Sequence, residues 1–398
     1  MIELTLGEVA AIVGGALVGA DPDTVVRGSV EYDSRKLAPG GLFVAFGGER
    51  ADGHDYASAA SAAGAVAALV TRPVDVPHIL VADPLQALAS LARAVARRLP
   101  QALVIGITGS SGKTSTKDLI AALLGRLGPT VAPSGSFNNE LGLPYTVLRA
   151  DVDTRFLVLE MGARGIGHIA YLCGIATPRI GVVLNVGSAH LGEFGTQEAI
   201  AQAKGELVEA LPPAADAGVA ILNADDPLVL GMAARTRARM VTVGESSTAD
   251  VRAQDVVLDE LGRAGFTLHA QGRSAAVQLR LVGGHHVGNC LAAAAVALVA
   301  GLSVADVATG LSAAVPTSRW RMELTERADG VVVINDAYNA NPESMRAALK
   351  SLASIARSRR ARSFAVLGQM AELGSAAHAE HDALGRLAVR LDVSRLIA

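Results

Sequence analysis

The sequence predicts an α/β protein of three domains, spanning 1–99, 100–315 and 316–398, with a central P-loop parallel sheet flanked by helices. Three observations predict it. From Ala102 onward, short apolar runs alternate with longer amphipathic stretches, the pattern of buried parallel strands covered by helices. A glycine-rich segment joins a strand-like run at 102–107 to a helix-like run at 115–127. The pattern changes at Pro100 and again near Pro316, which sets the boundaries.

Taken in order, residues 1–99 hold strand-like pieces at 41–46, 67–70 and 78–81 and an alanine-rich helix at 85–98. The central domain continues through strands at 156–159, 180–184 and 219–222 and a polar-edged hairpin at 268–282. A helix at 289–300 follows, with small side chains that allow close packing. The third domain opens at Arg319-Trp320-Arg321-Met322-Glu323. It then runs strand 331–334, a helix from Pro342, strand 363–367, a second helix and a last strand at Leu396. Two and a half βα units make this an incomplete Rossmann-like domain. No internal repeat or low-complexity linker interrupts the chain.

Composition narrows the function classes. A hydrophobic content of 51% with 18% charged residues reads as a soluble α/β protein. A net charge of −3 argues against nucleic-acid binding driven by phosphate neutralisation. Cys173 and Cys290 lie far apart without metal-ligand spacing, so two buried thiols in a reducing compartment are expected. Met1-Ile2-Glu3-Leu4 lacks the basic and apolar regions of a signal peptide, and the alanine runs are too interrupted to span a bilayer. The expected location is the cytoplasm, with no membrane insertion.

The chemistry begins at Gly106-Ile107-Thr108-Gly109-Ser110-Ser111-Gly112-Lys113-Thr114. Backbone N–H groups of Gly109, Ser110, Ser111 and Gly112 can close around phosphate oxygens while the following helix points its positive end at them. Lys113 neutralises charge and the Thr114 hydroxyl can sit on Mg²⁺, so the expected ligand is ATP. A strict G-x-x-x-x-G-K-[ST] needs glycine at 107, where this chain has Ile107.

In an open parallel sheet, function collects at the carboxyl ends of strands. Glu160 follows one strand and is either a Mg²⁺ ligand or a plain strand-end charge. Asn185 and His190 follow the next, the histidine being either a ligand or a loop residue. Lys204 lies in the amphipathic run 197–211, where a solvated helix lysine is the ordinary reading. Asp225-Asp226-Pro227 reads as a helix cap or turn rather than a metal site.

Together these residues resemble the Mur ligases of peptidoglycan synthesis, three-domain ATP-dependent amide-bond formers, over essentially the whole chain. That family's G-I-T-G-x-x-G-K-T is met by 106–114, including the displaced glycine. Its strand-end Glu, Asn-x-x-x-x-His and following helix lysine are met by Glu160, Asn185, His190 and Lys204. The resemblance implies a UDP-binding N-terminal α/β domain and two Mg²⁺ sites, held by Thr114 and Glu160 and by His190 and Lys204. It implies a carbamylated Lys204, whose anionic oxygens suit a cation that an ammonium would repel.

The family's G-x-H-N-x-x-N-A-L-A-A is similar to 283–293, with His286 where asparagine is usual and Cys290 where alanine is usual. Asn289 is thereby implied on the adenine side, Arg321 at the phosphates and Asp336 at the ribose hydroxyls. Lys113, Lys204, His190 and Arg321 are the implied catalytic set.

Phe137-Asn138-Asn139-Glu140-Leu141-Gly142-Leu143-Pro144, with 161–164, 336–344 and 367–374, is similar to runs of the member that adds D-alanyl-D-alanine to UDP-N-acetylmuramoyl-tripeptide. Asn138 and Asn139 are then substrate contacts. Ser34 and Arg35, in Asp33-Ser34-Arg35-Lys36, are pyrophosphate contacts. Asp52-Gly53-His54-Asp55 matches a family loop but also suits an ordinary turn. The neighbouring ligase that adds the third amino acid and a folylpolyglutamate synthetase-like ligase are the alternatives. The segment of about 100 residues before the P-loop argues against the second. From another class, a motor ATPase or a nucleotide-binding scaffold would need no amino-acid site. The expected state is a monomer.

Overall fold

The computed structural model describes residues 1–48, 51–187 and 191–398, and it divides into two compact units. The first comprises Met1–Val104, Pro129–Leu159 and Tyr171–Thr177; the second comprises Ile105–Gly128, Glu160–Ala170 and Pro178–Ala398.

In the first unit, a five-stranded sheet runs in the order Ala16–Val18, His78–Leu80, Ala67–Val70, Leu42–Val44, Val30–Glu31. Its first pairing is antiparallel and the others are parallel. Phe43, Ala45, Ala57, Ala60, Ala68 and Val70 form a core beneath it. The alanine-rich helix is Pro84–Arg97. Asp83 caps it by accepting from Leu85 N and Gln86 N, Pro84 fills the first turn where no N–H is needed, and Leu88, Leu91, Ala92 and Val95 form its buried stripe. The strand Phe156–Glu160, which begins in this unit, pairs in parallel with Thr130–Val131.

In the second unit, the P-loop strand Leu103–Thr108 is followed across the sheet by Ile180–Val183, Val219–Asn223, Arg239–Gly244 and Val251–Leu258, all parallel. Two antiparallel strands, Arg263–Ala270 and Arg273–Val282, complete this side. The expected hairpin at 268–282 is thus larger and belongs to a three-stranded meander turning at Gln271 and Gly272. Alternation along Arg263–Ala270 hides only every second residue, which weakens its signal as an apolar run. The helix His286–Val299 is buried along nearly its whole length, as its small side chains allow.

Toward the carboxyl end, the strands do not form one sheet. Glu323–Glu326 pairs antiparallel with Val332–Asn335, and Phe364–Val366 pairs in parallel with Arg395–Ile397. Helices Pro342–Ser358 and Ala377–Arg390 enclose a core of Met345, Leu349, Ala365, Met370, Leu373, Leu384 and Ala388. An ion pair between Arg346 and Glu380 ties the two helices together.

Candidate active site

The P-loop forms where expected, and its helix, Lys113–Leu124, starts two residues earlier than the apolar pattern alone suggests. Gly112 precedes it at φ 81°, a conformation that disfavours side chains, and a Cβ there would also strike the side-chain amide of Asn289. Asn289, from the first turn of the helix His286–Val299, therefore lies directly against the loop. Lys113 is half-buried and donates from Nζ to Gly109 O at 2.7 Å. Burial pushes its pKa down, opposed by the Glu160 charge and reinforced by Arg321.

Asn185 has a larger part than its place after a strand indicated. Its Oδ1 accepts from Ser111 N at 2.9 Å, its Nδ2 donates to Ser111 O at 3.2 Å, and its main-chain carbonyl accepts from Ser110 N at 3.1 Å. Gly187 N donates to Ser110 Oγ at 2.8 Å. The strand-end position was the available signal; the pairing with residues 74 positions away was not. Asp226 accepts from Val186 N at 2.8 Å and caps the short helix Pro227–Leu230, while Asp225 accepts from Glu245 N and Ser246 N. This dipeptide is capping and turn chemistry.

Thr114 Oγ1 donates to Glu160 Oε2 at 2.9 Å, and both side chains are buried. Met161 N donates to Ile107 O at 2.8 Å, which sets Glu160 beside the P-loop strand. Among the described residues, no three His, Cys, Asp or Glu side chains gather as a metal-binding group. The Thr114–Glu160 oxygen pair is a hard-donor set that fits Mg²⁺, which readily completes its shell with water and phosphate oxygens. His190 lies outside the described residues. Lys204 is buried in the helix Gln197–Glu209, and its pKa is pushed down to about 7, first by burial and then by the charge of Lys113. An amine so placed is substantially neutral near pH 7, the form that reacts with CO₂.

Arg321 reaches the same place from residues far along the chain. Its Nη2 donates to Thr114 Oγ1 at 3.3 Å, and its guanidinium stacks over the Tyr338 ring at 4.1 Å. Its Nε is buried without a hydrogen-bond partner among the described residues, a donor that a phosphate oxygen would satisfy. Asp336 accepts from Met322 N at 3.0 Å; burial raises its pKa to about 6 against the opposing pull of that N–H and of Arg321.

Beside the P-loop, a cleft of about 150 Å³ is lined by Asn185, Asn223, Asp225, His285, Asn289 and neighbouring residues. His286, standing where asparagine was expected, is buried in the same helix, with Nδ1 3.4 Å from Asn289 Nδ2. Burial and the adjacent His285 hold its imidazole neutral.

In the first unit, Asp33 caps the turn Ser34–Lys36, and Arg35 lies on it through Nε–Oδ1 and Nη2–Oδ2 contacts of 2.8 Å each. Asn139 Oδ1 accepts from Gly142 N at 2.9 Å, fixing the entry to the helix Gly142–Val147, and Asn138 Nδ2 donates to Ser136 Oγ. An aromatic chain joins these two candidate segments. Tyr32 and Tyr145 ring centres lie 5.2 Å apart, Tyr145 and Phe137 5.6 Å, and Tyr145 Oη donates to the buried Glu31 at 2.7 Å. Asp52 caps the turn Gly53–Tyr56, and its carboxylate meets His54 and Arg72, so the 52–55 loop is anchored by turn chemistry.

A strand, a glycine-rich turn and a helix bearing Lys113 and Thr114, with a strand-end carboxylate on the threonine hydroxyl, define a P-loop nucleotide-binding protein on a parallel α/β sheet. Family comparison narrows the class. Residues 28–100 match the Mur ligase family catalytic domain, 107–297 the Mur ligase middle domain, and 320–398 the Mur ligase glutamate ligase domain. The chain belongs to the Mur ligase family.

It is 57% identical over 426 aligned positions to the UDP-N-acetylmuramoyl-tripeptide–D-alanyl-D-alanine ligase of Mycobacterium tuberculosis, covering 100% of this chain and 83% of that protein. It is 37% identical to the ligase of the same name from Escherichia coli, covering 100% and 86%. A crystal structure of MurF from Acinetobacter baumannii superposes with a TM-score of 0.88 at 34% identity, covering 99% of this chain and 85% of that one. MurF from Thermotoga maritima in complex with ADP gives 0.78 at 31% identity, covering 93% and 87%.

Proposed function

We propose that the chain is an ATP-dependent amide ligase that joins D-alanyl-D-alanine to UDP-N-acetylmuramoyl-tripeptide in peptidoglycan precursor synthesis. The observation that carries this reading is Arg321 on Thr114, the same hydroxyl that meets Glu160: a distant part of the chain completes a phosphate-handling site. The family and the likeness to ligases of this substrate supply the acceptor chemistry.

An amine cannot displace oxygen directly from a carboxylate at neutral pH, because oxide would have to leave. The terminal carboxylate oxygen of the tripeptide instead attacks the γ-phosphorus of ATP, the bond to ADP breaks, and an acyl phosphate forms. The dipeptide amine then attacks the acyl carbon, inorganic phosphate departs, and the amine loses a proton. Lys113 and Arg321 spread the charge that develops on the transferring phosphoryl group. Gly109, Ser110, Ser111 and Gly112 cradle the phosphates, Asn289 faces the adenine and Asp336 accepts from the ribose.

Thr114 and Glu160 would hold one Mg²⁺ ion, and His190 with carbamylated Lys204 a second. Held by these residues, such ions would supply neutralisation of phosphate charge and polarisation of the γ-phosphoryl group. Ser34, Arg35, Asn138 and Asn139 bind the nucleotide-sugar substrate. The proposed division is a nucleotide-sugar domain over 1–99, an ATP domain over 100–315 and an acceptor-side domain over 316–398. Among the described residues, no helix is long and apolar enough to cross a membrane. We place the enzyme in the cytoplasm as a monomer that supports wall growth, cell shape and division.

The test is phosphate release from MgATP and UDP-N-acetylmuramoyl-tripeptide with and without D-alanyl-D-alanine, followed by mass analysis of the nucleotide product. Release that depends on the dipeptide, with a product heavier by that dipeptide less water, is expected. A single amino acid serving as the better acceptor, with UDP-N-acetylmuramoyl-dipeptide as co-substrate, would replace this reading with the neighbouring ligase.

A further inference from the structure

Lys204 is followed by a glycine in the interior of a thirteen-residue helix, where glycine is disfavoured relative to alanine. The reason for Gly205 is Arg235, at the end of the 3₁₀ turn Gly231–Arg235, whose guanidinium lies where a Cβ on Gly205 would be. Arg235 Nη1 donates to Ala201 O at 3.1 Å, Nη2 to Gln202 O at 2.8 Å, and Nε to Glu209 Oε1 at 2.9 Å. Ala201 and Gln202 carbonyls are the ordinary helical acceptors for the N–H groups of Gly205 and Glu206. The guanidinium therefore grips the backbone of the turn that carries Lys204.

The next two residues are committed to other elements. Glu206 is buried and accepts from Gly167 N at 2.5 Å and Ala170 N at 2.9 Å, at the start of the helix His168–Ile175. That helix follows the loop leading from Glu160, so one carboxylate connects the segment after Glu160 to the helix bearing Lys204. Leu207 packs against Gly106 of the P-loop strand and Gly181 of its neighbour, where a Cβ would come within 2.9 Å and 3.2 Å of its side chain. Residues 205, 206 and 207 thus fix the helix from three directions around the lysine.

We propose that Arg235 and Glu206 are positioning residues for the reaction: together they set the rotation and depth of the helix Gln197–Glu209, so that the Lys204 side chain is held beside the P-loop strand and the Glu160 loop. The inference rests on the reading of Lys204 as the carbamylated residue. Groups that orient a ligand side chain without touching the reacting atoms commonly change occupancy or activity by ten- to a hundredfold when removed.

The experiment uses the full chain, ¹³C-bicarbonate and NMR of the carbamate carbon, in the wild type and in Lys204→Ala, Arg235→Gln, Gly205→Ala and Glu206→Gln. Gly205→Ala matters because it raises helix propensity while displacing Arg235, so loss through mere unfolding of the helix is not its expected effect. A resonance present in the wild type and absent in Lys204→Ala is expected, reduced in Arg235→Gln, Gly205→Ala and Glu206→Gln. These three should lose kcat about tenfold or more, recover partly at raised bicarbonate, and keep their affinity for an ATP analogue within about twofold. Full carbamate signal and unchanged kcat in all three variants would overturn the positioning role alone. Nucleotide affinity lost in step with kcat would also overturn it, in favour of a structural role. Absence of the resonance from the wild type would overturn the reading of Lys204 itself, and this inference with it.

Discussion

The Thr114 hydroxyl donates to Glu160 Oε2 across 2.9 Å, linking the first turn of the P-loop helix to the end of a strand 46 residues later. Glu160→Gln keeps the size of the side chain and can still accept from Thr114, but it removes the anion. Expected is a loss of kcat of about a hundredfold or more, comparable with removing one charge-stabilising group at a phosphoryl-transfer site. The Mg²⁺ concentration for half-maximal activity should rise, and the melting temperature should change little. Steady-state kinetics across a Mg²⁺ series checks all three.

Asn185 holds Ser111 by both its N–H and its carbonyl. Asn185→Ala leaves these loop groups without their partner, at about 0.5–1.5 kcal/mol for each hydrogen bond. The expected result is a KM for ATP raised by about tenfold, with the KM for the nucleotide sugar unchanged. Competition binding of an ATP analogue separates this from a general loss of fold.

Asp336 gives a pH dependence with a definite sign. Its pKa is raised to about 6 by burial, so between the ordinary carboxylate value and pH 6 the folded state binds more protons than the unfolded chain. This group's contribution to stability is present at low pH and falls as pH rises through that window. Asp336→Asn should flatten the profile there, measured by urea denaturation from pH 4 to 7. In the proposed role of ribose acceptor Asp336 acts in its ionised form, so the wild-type KM for ATP should fall as pH rises from 5 to 7, and the variant's should not.

Tyr145 donates to the buried Glu31 at 2.7 Å, and burial followed by that carboxylate raises the phenol pKa, which keeps the donor in place. Tyr145→Phe strands a buried carboxylate oxygen while keeping the ring contacts to Tyr32 and Phe137. A destabilisation of about 1–3 kcal/mol is expected in chemical denaturation. A shift within experimental error would show that Glu31 finds another donor.

Much of the candidate site's layout was legible because its signals are local. The displaced glycine, Lys113 and Thr114 occupy one turn, and Glu160 and Asn185 stand at strand ends that apolar runs mark. Lys204 was legible only through the family resemblance, since a helix lysine by itself carries no sign of burial. Asn185 as the clamp on Ser111, Tyr338 beneath Arg321 and Arg235 over Gly205 could not be read in advance, because each joins residues that only packing brings together. The polar strand Glu323–Glu326 went unmarked for a different reason: its side chains are partly or fully exposed, so it has no apolar run, and its place comes from pairing with Val332–Asn335.

The sequence by itself determined the α/β class, the P-loop and the order of strands that end in polar residues, since periodicity, turn chemistry and phosphate-cradling glycines all act over a few residues. Only the tertiary structure decided that Arg321 meets Thr114, that the Lys204 amine is desolvated, and that the carboxyl-terminal strands form two small sheets instead of one. Burial, charge proximity and sheet pairing depend on residues distant in the chain, and no local pattern specifies them.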